Sequence, residues 1–146
     1  MTSFFRSKLY ADFWRFFSLL TLVVALSSCV GIIASAIFSD VSGSELFAAV
    51  VYVFFIAGAY GLFASILGFW FVFLVLKTKV PVSPSVASGI IGVCIGAAVL
   101  AHFYRILGQD PVPMFGLLFF PAIPFVTSLA AFIWMARKFI FPHVKK

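Results

Sequence analysis

Four long apolar stretches are the feature that most limits how this chain can fold. They lie at residues 16–38, 46–76, 86–104 and 112–136. A helix that crosses a bilayer needs roughly 17–25 mostly apolar residues, and each stretch reaches that length. Only 10% of the residues are charged, whereas soluble domains carry about 25%. We therefore predict one all-α transmembrane domain, residues 1–146, in which four membrane-spanning helices form a bundle.

The positions of Lys and Arg predict the orientation of these helices. If the N-terminus is cytoplasmic, nine basic residues lie on the cytoplasmic side and only Arg105 lies on the other. Short loops rich in Lys and Arg remain inside, and Trp14, Trp70 and Trp134 would then lie near the inner interface, as aromatic belts do. We expect both termini to be cytoplasmic. The small size of the chain and its lack of Asn, hence of glycosylation sequons, favour a bacterial inner membrane. The same bias explains the formal net charge of +6 without nucleic acid as a partner.

The residues before the first apolar stretch predict a short amphipathic helix. On a helical wheel, Lys8, Asp12 and Arg15 share one face, and Leu9 and several phenylalanines cover the other. Such a pattern is typical of a helix that lies on the membrane surface.

A cleavage signal of the lipoprotein type is suggested by residues 26–29, which end in Cys29. The chain stays apolar after that cysteine, which favours a complete span instead.

Small residues recur at every fourth position in three of the predicted helices. Helices in lipid associate through close packing, which small side chains permit. One interpretation is packing within the bundle, and the other is that one row receives a helix of another membrane protein. The three rows are Ser27, Gly31 and Ser35, then Ala57, Gly61 and Ser65, then Ser88, Gly92 and Gly96.

Two predicted helices have unusual features. The second stretch has 31 residues and would extend roughly 46 Å, against a hydrocarbon core of about 30 Å. It must tilt and project from the membrane, or break around residues 58–61 as discontinuous transporter helices do. In the fourth helix, Pro121 and Pro124 each remove a backbone N–H and predict a kink, with a pore-lining role as the functional alternative.

Chemistry-bearing residues are scarce in this sequence. No Asp, Glu, Lys or Arg lies within the predicted spans, where the one histidine is His102 near the outer end of the third. No nucleophile triad signature, glycine-rich phosphate loop or zinc-protease motif is present. We therefore expect no enzymatic activity, no cofactor and no metal, since a metal site needs three or four ligands. An outer polar patch is formed by Asp40, Glu45, His102, Arg105 and Asp110. Catalysis within the membrane by His102, Arg105 and Asp110 is the least favoured hypothesis for the chain.

The sequence favours a non-catalytic protein that acts within the bilayer by helix–helix contact with another membrane protein, as an accessory subunit or inhibitor. Its layout is similar to that of some immunity proteins that protect bacteria from pore-forming bacteriocins, although no residue motif supports this similarity. The alternative is a homo-oligomeric channel or transporter for a neutral solute or an ion. Its path would be lined by the kinked helix and the hydroxyls of Ser27, Ser28, Ser35, Tyr60, Ser65 and Thr127.

Overall fold

The computed structural model describes residues 2–37, 40–78, 82–107 and 114–144, and all regular structure in these ranges is helical. Four of the described helices are long and apolar enough to cross a membrane, which confirms the predicted helical membrane fold at that level. The elements are α1 (Thr2–Ala36), α2 (Gly43–Lys77), α3 (Pro84–Leu107), α4 (Met114–Met135), a π-helical segment (Ala136–Ile140) and α5 (Phe141–Val144).

The helices form a bundle in which α1 packs against α2 and α4, and α3 packs against the same two helices. Phe16, early in α1, contacts Phe69, late in α2, and Phe132, late in α4, at ring-centroid distances of 5.5 and 5.7 Å. Arg137, beyond α4, reaches Ser85 at the start of α3. Successive long helices are therefore antiparallel. The start of α1, the end of α2, the start of α3 and α5 share one end of the bundle, which we call the termini end.

Side-chain caps explain where two helices begin. At α2, the Ser42 hydroxyl accepts a hydrogen bond from the Glu45 N–H at 3.4 Å, and the Glu45 carboxylate accepts one from the Ser42 N–H at 3.1 Å. Together these two bonds form a capping box, in which each side chain satisfies an N–H that the helix leaves unpaired. At α3, Ser83 Oγ accepts a bond from the Val86 N–H at 3.3 Å, and Pro84 fills the first helical position, where no N–H is needed.

The second helix is continuous, so the predicted alternative of a break at residues 58–61 is wrong. Helix α2 has 35 residues, which corresponds to about 52 Å against a hydrocarbon core of about 30 Å. Helix α2 must therefore tilt and project beyond the hydrocarbon core to accommodate its excess length. The helical assignment of α4 also runs without interruption through Pro121 and Pro124.

The first residues of the chain belong to a longer helix and do not form a separate surface helix. One helix, α1, includes both the predicted amphipathic segment and the first span, so the structure does not show an independent interfacial element. Lys8 and Arg15 are exposed, but Asp12 is only 7% exposed. The predicted polar face is therefore divided, because the C-terminal segment of the chain covers its aspartate.

The last helix extends beyond the predicted span. After residue 136 the chain remains helical to Val144, first as the π-helical segment and then as α5. Pro142 lacks an N–H and its ring collides with the carbonyl four residues earlier in a regular α-helix. We attribute the wider π-helical turn immediately before it to that collision. At its end, the Phe141 N–H donates to the Ala136 carbonyl, five residues back.

The hydrophobic core lies at the termini end. It is built by α1, α2, α4 and the π-helical segment, while α3 adds only the partly buried Ile91 among the described residues. Burial of such side chains, together with edge-to-face ring contacts, fixes this end of the bundle. Its buried members are Phe16, Leu20, Phe69, Val72, Phe132, Met135, Ala136, Phe139 and Ile140.

Candidate functional site

One predicted row of small residues brings two backbones together. A Cβ added at Gly61 of α2 would lie 3.0 Å from the Thr21 Cα and 3.3 Å from the Thr21 carbonyl oxygen of α1. The hydroxyls of Thr21 and Ser65 lie 3.4 Å apart across the same contact. Ser65 also donates to the Gly61 carbonyl at 2.6 Å. This is the close approach that small residues permit in lipid, and it is used within the chain.

The glycines that face α4 have a different role, because they receive large side chains. An added Cβ at Gly92 of α3 would lie 2.7 Å from Leu129 Cδ1 and 3.0 Å from Phe132 Cδ1. At Gly96 it would lie 2.5 Å from a ring carbon of Phe125. Phe132 also occupies the space above Gly68 of α2. Other members of the predicted rows are buried or half-buried: Ser27, Gly31, Ser35, Ala57 and Ser88.

The opposite side of α3 carries a second set of small residues, and these are uncovered. Only 11% of the membrane-crossing window of α3 is buried, compared with 39% of that of α1. One exposed face of α3 begins with Ile90, which is 58% exposed. At helical spacing toward the C-terminal end of α3, a cysteine and three alanines follow it. We call this face the open surface of α3, and it consists of Ile90, Cys94, Ala97, Ala98 and Ala101.

The serine and threonine hydroxyls predicted to line a pore bond to their own helices. Ser28 donates to the Val24 carbonyl at 2.7 Å, and Ser27 donates to the same carbonyl at 3.2 Å. Thr127 donates to the Ile123 carbonyl at 2.7 Å. Such back-bonding satisfies a hydroxyl locally and requires no aqueous path. Ser35 bonds its helix in the same way.

A cleft of about 230 Å³ lies between α1 and α2. Its lining is mainly apolar and includes Phe17, Leu22, Phe54 and Leu62 beside Gly58. A site that discriminates small molecules combines apolar walls with a few convergent polar groups. Ser18 and Thr21 also line the cleft, but the Ser18 hydroxyl donates to the Trp14 carbonyl at 2.9 Å. The cleft thus resembles a gap between packed helices more than a polar ligand site.

The outer polar patch is not joined into a cluster by any bond among the described residues. Asp40 and Arg105 are exposed, and Glu45 is engaged in the α2 cap. His102 lies beside Tyr60, with 5.9 Å between ring centroids. Asp110 lies outside the described residues. The described part of the chain holds no group of three His, Cys, Asp or Glu side chains that is close enough to bind a metal.

Sequence reasoning missed a buried pair of ionisable side chains at the termini end. The imidazole Nε2 of His143 in α5 lies 2.8 Å from the Asp12 carboxylate of α1. Their side chains are 8% and 10% exposed, respectively. The guanidinium of Arg15, itself 69% exposed, lies 3.8 Å from the other Asp12 oxygen. The two partners are 131 positions apart, so no local pattern could have joined them. No signal in the sequence marked Asp12 for burial, because Lys8 and Arg15 share its face of the helix.

These features define the chain as a helical membrane protein whose small residues serve mainly internal packing. No protein-family model, curated protein or solved structure matches the chain.

Proposed function

We propose that this chain is a non-catalytic membrane protein that works by helix–helix contact with another membrane protein, as an accessory subunit or an inhibitor does. The observation that carries the proposal is the open surface of α3. In the rows of small residues that the sequence predicts, Gly61, Gly92 and Gly96 face other helices of this chain, whereas Cys94, Ala97, Ala98 and Ala101 are exposed.

Small exposed side chains are suited to a partner helix. Association in lipid depends on backbone proximity and dispersion contacts, because apolar side chains gain nothing from leaving lipid tails. A face of alanines lets a second helix approach closely along about two turns. Larger residues, such as the phenylalanines exposed on α2 at positions 55 and 63, would hold a second helix further away.

The proposed topology has both termini in the cytoplasm of a bacterial inner membrane. It is supported by the exposed basic residues that gather at the termini end, because cytoplasmic flanks are enriched in Lys and Arg. Lys138 lies 4.9 Å above the Trp134 ring, and Lys77 lies 6.0 Å above Phe73. These stems cover apolar rings while their ammonium groups reach toward headgroups, as expected at an interface.

The experiment is purification of the tagged full-length chain from native membranes in mild detergent, followed by mass spectrometry of intact complexes. The contact proposal predicts a foreign membrane protein in fixed stoichiometry. Ala98→Leu should remove it, because the added side chain separates the helices. The matched control is Ala59→Leu, which makes the same change at an exposed position of α2 and should leave the complex intact.

Three results would contradict the proposal. The complex could survive Ala98→Leu, or both variants could lose it equally, or the wild-type chain could carry no foreign subunit. A pure homo-oligomer would direct attention to a channel or transporter function. That function predicts solute or ion flux from the purified chain alone in sealed liposomes, and tight vesicles across a solute panel would exclude it for those solutes.

A further inference from the structure

We propose that the cleft between α1 and α2 binds an anionic phospholipid, with one acyl chain in the cleft and the headgroup phosphate on Arg15 at its mouth. The cleft is lined by α1 and α2, so the site is separate from the open surface of α3 and does not depend on the contact function. The ligand is defined by its chemistry, which joins a hydrocarbon chain to a negatively charged headgroup.

The cleft has the size, lining and access that an acyl chain needs. Its volume is about 230 Å³, and apolar side chains such as Phe17 and Phe54 form most of its walls. Leu22 and Leu62, on opposite walls, are both exposed, so the cleft opens toward the bilayer and not into the core. Along α1 it extends from Phe17 to Ala25, which is about 12 Å of helix. That length covers most of one leaflet, about half of a 30 Å hydrocarbon core.

The two helices separate beside Gly58. An added Cβ at Gly58 meets nothing within 4 Å, whereas at Gly61 it would lie 3.0 Å from the Thr21 Cα. A void in this place would leave its lining atoms without dispersion contacts, and a flexible hydrocarbon chain can supply them. The hydroxyls of Ser18 and Thr21 already have partners within the bundle. An apolar occupant therefore leaves no polar group of the cleft newly unpaired.

Interfacial side chains lie at the mouth of the cleft, about one turn before Ser18. The Trp14 ring contacts the ring of Phe17, which lines the cleft, at 5.3 Å between centroids, and it contacts Tyr10 at 5.9 Å. Exposed Trp and Tyr rings prefer the level of the headgroups. Arg15 and Ser18 are three residues apart and share one face of α1. The mouth of the cleft thus combines a headgroup-level aromatic pair with a guanidinium.

The charges at the mouth favour a negatively charged headgroup. The Arg15 side chain is 69% exposed, and its Nη1 lies 3.8 Å from an Asp12 oxygen, which is longer than a hydrogen bond. The other Asp12 oxygen lies 2.8 Å from His143. Lys8, one turn before Asp12, is also exposed. Two exposed cations therefore accompany one buried carboxylate, and a guanidinium can bind two phosphate oxygens at once.

Mass spectrometry of the intact full-length chain tests the proposal. The protein is released from micelles that contain phosphatidylglycerol and phosphatidylcholine with identical acyl chains. The wild-type chain should retain one lipid. Gly58→Leu should lose it, because the new side chain fills the cleft. The matched control is Ala59→Leu, which introduces the same side chain at the next position, exposed and outside the cleft lining, and should keep the lipid.

The same spectra test the role of Arg15. The wild-type chain should prefer phosphatidylglycerol to phosphatidylcholine about fivefold, the effect of one cation near an anionic headgroup. Arg15→Gln should still retain a lipid but should lose most of this preference. The control is Lys138→Gln, which removes an equal charge from the termini end at a side chain that lies over Trp134. It should keep the wild-type preference.

Several results would overturn the site. The wild-type chain could carry no lipid, including the case in which a second copy or a foreign helix covers the cleft. Gly58→Leu could retain the lipid, or Ala59→Leu could lose it equally. A preference that survives in Arg15→Gln, or that disappears equally in Lys138→Gln, would refute the assignment of the headgroup to Arg15.

A second measurement applies to the wild-type chain if Gly58→Leu does not fold. Phosphatidylglycerol with a photoreactive acyl chain is added to liposomes that contain the protein, and the cross-linked residues are mapped by peptide mass spectrometry. Labelling should concentrate on residues that line the cleft. Equal labelling of exposed phenylalanines elsewhere on α2 refutes the site, and these are Phe47, Phe63 and Phe71.

Discussion

Replacing Gly61 with alanine tests the close contact between α1 and α2 most directly. The new methyl group would lie 3.0 Å from the Thr21 Cα and 3.2 Å from the Val24 Cβ. Both are closer than normal carbon–carbon contacts of about 3.5–4.0 Å. One neighbour is backbone and the other is a branched side chain on the same helix, so relief requires α1 to move away as a unit. That movement would also stretch the contact between the hydroxyls of Thr21 and Ser65.

The matched control, Gly58→Ala, isolates this strain. Gly58 lies one turn earlier on α2, and an added Cβ there meets nothing within 4 Å. Both variants gain about 1 kcal/mol of helix propensity, so this gain cancels when they are compared. Overpacking a tight contact is unfavourable by about 1–3 kcal/mol. Gly61→Ala should therefore be less stable than Gly58→Ala by that amount, and Gly58→Ala should match or exceed the wild-type chain.

Reversible unfolding in mixed micelles, with increasing sodium dodecyl sulfate and far-ultraviolet circular dichroism as the signal, measures both free energies. The reasoning is refuted if the two alanine variants are equally stable. It is also refuted if Gly58→Ala is the weaker protein, because the open space beside Gly58 would then not exist in the bilayer-mimetic state.

Two further predictions use the same unfolding assay. Phe132→Ala should destabilise the bundle by about 3–5 kcal/mol, because this ring is 4% exposed and fills the spaces over Gly68 and Gly92; a loss below about 1 kcal/mol would show that the helices close over the cavity. Ser42→Ala should remove about 1 kcal/mol through the lost α2 cap. Ser42→Thr keeps a capping hydroxyl and should stay close to wild type, so equal losses in both variants would argue against capping as the cause.

The sequence predicted the helices well because their physics is local. Apolar length sets the number of membrane-crossing helices, and the sequence alone was enough to place all four. The small-residue rows also pointed to positions of tight packing. Spacing alone could not show that Gly61 contacts backbone, whereas Gly92 and Gly96 contact side chains of α4. That difference depends on which residue lies opposite each glycine.

The sequence could not predict the long-range pairing of Asp12 with His143. The charged neighbours Lys8 and Arg15 place Asp12 on a surface face of the helical wheel, and nothing nearby indicates that His143 would cover it. The π-helical segment was missed for a related reason. Pro142 falls after a cluster of basic residues that normally marks the end of a span, so the continuation of the helix to Val144 depends on core contacts made by Phe139 and Ile140.

The position of the core has a consequence for biogenesis. Its buried members come from α1, α2, α4 and the π-helical segment, so α1 needs segments made much later in synthesis to complete its packing. While the ribosome is still making α3, Phe16 has only its α2 neighbours, and Asp12 has no histidine. Assembly of this end must therefore wait until α4 and the π-helical segment have been made. A nascent protein that stops before residue 132 would present an incomplete, aromatic-rich surface to the membrane's quality-control proteases.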